Sequence, residues 1–119
     1  MLYNGYYRDL TSHEIMEQVI VNTYPYVFLT KVLQSKLVER SKTKKTAIIN
    51  VSSSISIMPG PYQLTYGSTK KFERNWSEAL RLEMGSDNPN MEVGTLCPMY
   101  VSTQMTHNLP PDSSGVITA

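Results

Sequence analysis

Residues 46–72, TAIINVSSSISIMPGPYQLTYGSTKKF, decide how the rest of the chain is read. Thr46 to Val51 is a continuous apolar, β-branched run without alternation. That pattern suits a strand covered on both faces, as in a parallel sheet. Pro59-Gly60-Pro61 then marks a loop. From about Leu64 to Met84 the placing of Trp76, Ala79, Leu80 and Leu82 fits a helix, which Gly85 to Pro89 ends. Met91 to Cys97 reads as a second buried strand. Strand, helix and strand in that order form a βαβ unit, expected to be parallel and right-handed. The fold class is α/β.

Upstream, Thr11-Ser12-His13-Glu14 carries a helix start, with Thr11 as cap and Glu14 three residues on. Apolar residues recur at Ile15, Met16, Val19, Ile20, Val27, Phe28, Val32 and Leu33, and Leu37 follows. This is a helical stripe running to about Arg40. Pro25 interrupts it, since proline has no amide proton for the Val21 carbonyl and its ring crowds that carbonyl. A helix kinked near Asn22 to Pro25 is expected.

The 119 residues, 40% of them hydrophobic, suffice for one domain with a modest core. A formal net charge of +1 implies no general attraction to nucleic acid or to an anionic membrane. The basic run Lys42, Lys44 and Lys45 reads as a solvated loop. One cysteine, Cys97, excludes an intrachain disulfide, points to a reducing, intracellular compartment, and reads as a small buried residue. His13 and His107 lack a second ligand at metal spacing, so no metal site is expected. No stretch approaches the roughly 20 apolar residues of a membrane span, and the first ten residues show no signal-peptide pattern. The tail from Asn108 is polar and proline-rich, with no core pattern.

Tyr66 and Lys70 are four residues apart and share a helix face. Ser53 lies thirteen residues before Tyr66, at the end of the first strand. A carbonyl reductase needs these residue types. A phenol, ordinarily with a pKa of about 10, gives a proton to the reacting oxygen. A nearby ammonium makes it more acidic. A hydroxyl holds the oxygen as charge develops. Taken singly, Tyr66 with Lys70 also suits a partly exposed helix face, and Ser53 suits a polar strand end.

Three segments carry a resemblance to the short-chain dehydrogenase/reductase family: VNTYPYVFLTKVLQSKLVERSK, AIINVSSSISIMPGPYQLTYGSTKKF and CPMYVSTQM. Within it the chain is similar to the branch of hydroxysteroid dehydrogenases and very-long-chain 3-oxoacyl-CoA reductases. The resemblance implies a slice of a Rossmann-like, doubly wound parallel sheet, one partial domain over residues 1–119. It implies an NAD(P)-dependent oxidoreductase that reduces a ketone or oxidises a secondary alcohol, the substrate being 3-oxoacyl-CoA or steroid-like. NADP is favoured over NAD. By resemblance Tyr66, Lys70, Ser53 and Asn22 are catalytic, Asn22 fixing a water that passes protons toward Lys70. Tyr66, Lys70, Pro98, Val101 and Thr103 face the cofactor. As ordinary residues, Asn22 is a helix polar group and Thr103 a loop threonine. Two positions depart from the family, Met99 and Ser56 standing where glycine is usual; Ser56 is expected to reshape the substrate loop.

The family's glycine-rich phosphate turn, TGxxxGxG, is missing, for the glycines at 5, 60, 67, 85, 94 and 115 are all isolated. The resemblance places Met1 just after the family's fourth strand and Ala119 before its last helix, so a middle slice of a longer protein is expected. The strand at 47–51 then has an open apolar edge, to be covered by another chain or further sequence. The resemblance also implies a homodimer through the two long helices, and leaves an endoplasmic reticulum location open for a longer parent. The rival reading is a remnant of the fold acting as a structural subunit without turnover. An unrelated α/β binding module is a third.

Overall fold

The expected helix over 11–40 forms as α1, Ser12–Ser41. The structure, a computed structural model, describes residues 1–101. Thr11 caps α1 through a full capping box: its hydroxyl accepts from the Glu14 amide, and the Glu14 carboxylate accepts from the Thr11 amide at 2.8 Å. Pro25 lies inside α1, and the helix continues through it without a break. Strand β1 is Thr46–Val51, helix α2 is Leu64–Asp87 and strand β2 is Met91–Leu96. α2 ends at Asp87, inside the Gly85 to Pro89 stretch expected to stop it, and runs through Gly85 itself. One helical glycine costs only about 1 kcal/mol against alanine, too little to stop a helix otherwise packed on the sheet.

β1 and β2 pair in parallel, Thr46 beside Met91 through Val51 beside Leu96, in a two-stranded sheet. The core lies between this sheet and the helices: Leu80 and Met84 of α2 against Met91 and Val93 of β2, flanked by Leu37, Val38 and Ile48. Burying one such side chain stabilises by roughly 1.5–3 kcal/mol.

Two expectations about burial change. β1 is not covered on both faces: Ile48 meets the core, while Ile49 and Val51 are exposed. Among the described residues only one helical layer lies on this sheet, so alternate side chains have no described neighbour above them. The apolar stripe of α1 is likewise mostly exposed, at Met16, Val19, Ile20, Phe28, Val32 and Leu33. The buried residues of α1 are Gln18, Asn22, Thr30 and Ser41. The buried positions of α1 are thus polar, while Leu37 and Val38 near its end pack against the core. Lys42, Lys44 and Lys45 are solvent-exposed, as the loop reading expects. Cys97 is half-buried, with Sγ 3.8 Å from the Ser56 hydroxyl.

Polar bonds tie these elements together. Asn50 of β1 donates to the Ser77 hydroxyl of α2 at 2.7 Å, and the Ser52 hydroxyl donates to the Lys70 carbonyl at 2.7 Å. The first residues fold over the start of α2. The Gly5 amide donates to the carbonyl of Tyr62, a residue in the left-handed region at φ 65°. The Tyr6 ring meets the Tyr62 ring edge-on at 4.9 Å.

Candidate active site

β1 ends at Val51, and the chain turns through a short 3-10 helix, Ser54–Ser56. Ser53 caps that turn, its hydroxyl accepting weakly from the Ile55 amide at 3.4 Å. Ser56, where a glycine was expected, is buried and donates to the Ser53 carbonyl at 2.6 Å. Its hydroxyl fastens the turn, and its backbone is not in the left-handed region, so glycine is not required there. Ile55 then packs close to α2: a Cβ added at Gly67 would sit 3.2 Å from Ile55 Cγ1. Gly67 thus lets the wall carrying Ser53 approach the helix carrying Tyr66.

The turn and α2 border a cleft of about 500 Å³. Ser53, Tyr66, Lys70, Pro98 and Val101 all line it. Ile55, Ile57, Met58 and Met99 supply apolar wall. Asn22 lies in a neighbouring cavity of about 470 Å³, and Lys70 lines that one too. Thr103 and the tail 108–119 lie outside the described residues.

Tyr66 is 7% exposed, more deeply placed than a partly exposed helix face would be. Its phenol is pushed above the ordinary value of 10, first by burial. The Ser53 side chain pulls it down, and the charges of Glu73 and Tyr100 push it further up. This differs from the simple expectation of an acidified phenol. Burial is the first reason; besides it, the Lys70 ammonium donates to Glu73 Oε1 at 2.9 Å, to Glu73 Oε2 at 2.8 Å and to the Val51 carbonyl at 3.1 Å. It stands 5.7 Å from the Tyr66 ring centre and 5.9 Å from that of Tyr26. A carboxylate in contact offsets the cation's field at the phenol.

Glu73 has no exposed surface at all. Burial pushes its carboxyl above the usual range, against the pull of Lys70 and Tyr26. The Tyr26 hydroxyl donates to the Val51 carbonyl at 2.8 Å, and burial raises its phenol strongly. Asn22 is buried too. Its amide donates to Thr69 Oγ1 at 3.1 Å and to the Met1 carbonyl at 2.9 Å, and its oxygen accepts from the Met1 amine at 2.9 Å.

Reading the sequence missed Glu73 and Tyr26. For Glu73 a signal existed, since an acid three residues after Lys70 shares its helix face. Tyr26 had none, because a contact from α1 to the end of β1 is a matter of tertiary packing.

A family model described as short chain dehydrogenase matches residues 3–114. Hydroxysteroid dehydrogenase-like protein 1 of Gallus gallus is 29% identical over 103 residues, covering 87% of this chain and 30% of that protein. Very-long-chain 3-oxoacyl-CoA reductase of Bos taurus is 30% identical over 105 residues, covering 87% of this chain and 32% of its own length. The chain therefore spans under a third of these relatives. In three dimensions it is similar to 3-ketoacyl-(acyl-carrier-protein) reductase from Brucella melitensis complexed with NADH. The TM-score is 0.82 at 22% identity, over 89% of this chain and 43% of that one. The fold is the expected α/β, Rossmann-like slice.

Proposed function

The chain belongs to the short-chain dehydrogenase family, and on that premise we propose that it serves an NAD(P)-dependent reduction of a ketone or oxidation of a secondary alcohol. The observation that carries this reading is the cleft at the end of β1, where Ser53, Tyr66 and Lys70 meet Pro98 and Val101. A bound nicotinamide would supply or accept the hydride. The residues present suit its ribose end, since Tyr66 and Lys70 on α2 and the Pro98–Val101 stretch line the same cleft. The 119 residues contain no glycine-rich turn for its phosphates. NADP is favoured over NAD by the resemblance alone.

In reduction, Tyr66 gives its proton to the substrate oxygen. Ser53 donates a hydrogen bond to the same oxygen as charge builds there. Lys70 steadies the phenolate left behind. Asn22, one layer back, serves proton return toward Lys70. The apolar wall of Ile55, Ile57, Met58 and Met99 suits the body of a 3-oxoacyl thioester or a steroid-like ketone. The exposed apolar residues of α1 and the exposed Ile49 and Val51 of β1 support a homodimer through the long helices, or a chain segment laid on the open strand edge.

A second reading, a structural subunit without turnover, is favoured by the engagement of Lys70 with Glu73. Tyr66→Phe in the full-length protein separates the two. Turnover falls by about 10² to 10⁴ if Tyr66 is the acid, with cofactor affinity kept. Wild-type turnover removes Tyr66 from that role.

A further inference from the structure

The Lys70 ammonium donates to both carboxylate oxygens of Glu73 and to the carbonyl of Val51. The chelating carboxylate and that carbonyl together hold it in one pose. Glu73 lines the neighbouring cavity beside Asn22 and Tyr26, so it draws the ammonium toward that side. Val51 O also accepts from Tyr26, which closes the network from α1. A fully buried carboxylate is costly and is retained here against the Lys70 ammonium, with the Tyr26 hydroxyl also acting on it.

We propose that Glu73 is a positioning residue for Lys70, holding the ammonium in a resting pose from which it must swing before it can serve the phenol and a ribose in the cleft. As regards turnover, this rests on the reading of Tyr66 and Lys70 given above. The charged and titratable groups that face this network are Glu73 on α2, Tyr26 on α1, the amine of Met1 and Tyr100 beyond β2. Among the described residues, only the carboxylate of Glu73 touches the ammonium.

The test follows the ring-carbon NMR signal of Tyr66, assigned by its loss in Tyr66→Phe, as pH is raised on the whole chain labelled with 13C-tyrosine. In the wild type it titrates above 10. Glu73→Gln removes the charge at nearly constant shape, leaving the cation uncompensated, and moves the titration down by about one pH unit or more. Glu73→Asp keeps the charge and restores the wild-type position. An unchanged titration in Glu73→Gln overturns the proposal. Should that variant fail to fold, the charge-balanced double variant Lys70→Gln with Glu73→Gln carries the test. If Glu73 already occupies the ammonium, the two charges leave together and Tyr66 titrates where the wild type does; a rise shows the ammonium was serving the phenol all along and overturns the proposal. Neither titration needs turnover. A negative result beside an active full-length enzyme rejects Glu73 and keeps the reductase, and the converse pairing rejects the reductase and keeps Glu73.

Discussion

Asn50 on β1 and Ser77 on α2, 27 residues apart, meet in a buried 2.7 Å hydrogen bond. Ser77 passes it on, donating to the Glu73 carbonyl at 2.7 Å. The strand that ends at the candidate site is thereby fixed in height against the helix that carries Tyr66, Lys70 and Glu73.

Ser77→Ala leaves the Asn50 amide without its partner in a buried place. The cost of orphaning such a group is about 1–3 kcal/mol. Urea titration of the variant should show a lower midpoint with an unchanged slope. An unshifted midpoint means the bond adds nothing.

Ser53→Ala removes the hydroxyl proposed to meet the substrate oxygen, and also the group that pulls the Tyr66 phenol down. Turnover of the full-length protein drops by about 10² to 10³. The Tyr66 titration moves up in the same variant. Steady-state kinetics and NMR check the two effects separately, and full turnover in Ser53→Ala rejects the role.

Glu73 gives a stability that depends on pH with an uncommon sign. Its carboxyl sits above the ordinary 4.5 in the fold, chiefly through burial. The folded state therefore holds that proton more tightly than the unfolded one. Its contribution is fully present below 4.5 and is lost as pH rises through the raised folded value. The stability of wild type minus that of Glu73→Gln should fall as pH rises from about 4.5, read by urea midpoints at several pH values. A difference that grows with pH contradicts the burial-dominated account.

Much of the fold was legible because local rules were obeyed. The box at Thr11 and Glu14 marks the start of α1 to the residue, and the apolar runs at 46–51 and 91–96 form strands in the expected parallel pair. What failed was burial. The apolar stripe of α1 says helix, but not which neighbour will cover it, and Met16, Phe28 and Val32 stand exposed while Gln18 and Asn22 are inside. Periodicity reports a face, whereas burial depends on what lies opposite.

At the candidate site, the residue types and their spacing came from the sequence: Ser53 at a strand end, Tyr66 and Lys70 one turn apart, Pro98 after the next strand. Helical geometry alone brings Lys70 near Tyr66, so four residues of spacing suffice to read that pair. Only the tertiary structure decided where the ammonium goes. Glu73 is a surface-type residue by sequence, and it became a ligand for Lys70 because packing of α1 and β1 on α2 took water away from it. Charge partners are chosen by desolvation as much as by distance, and desolvation is a property of the packed fold.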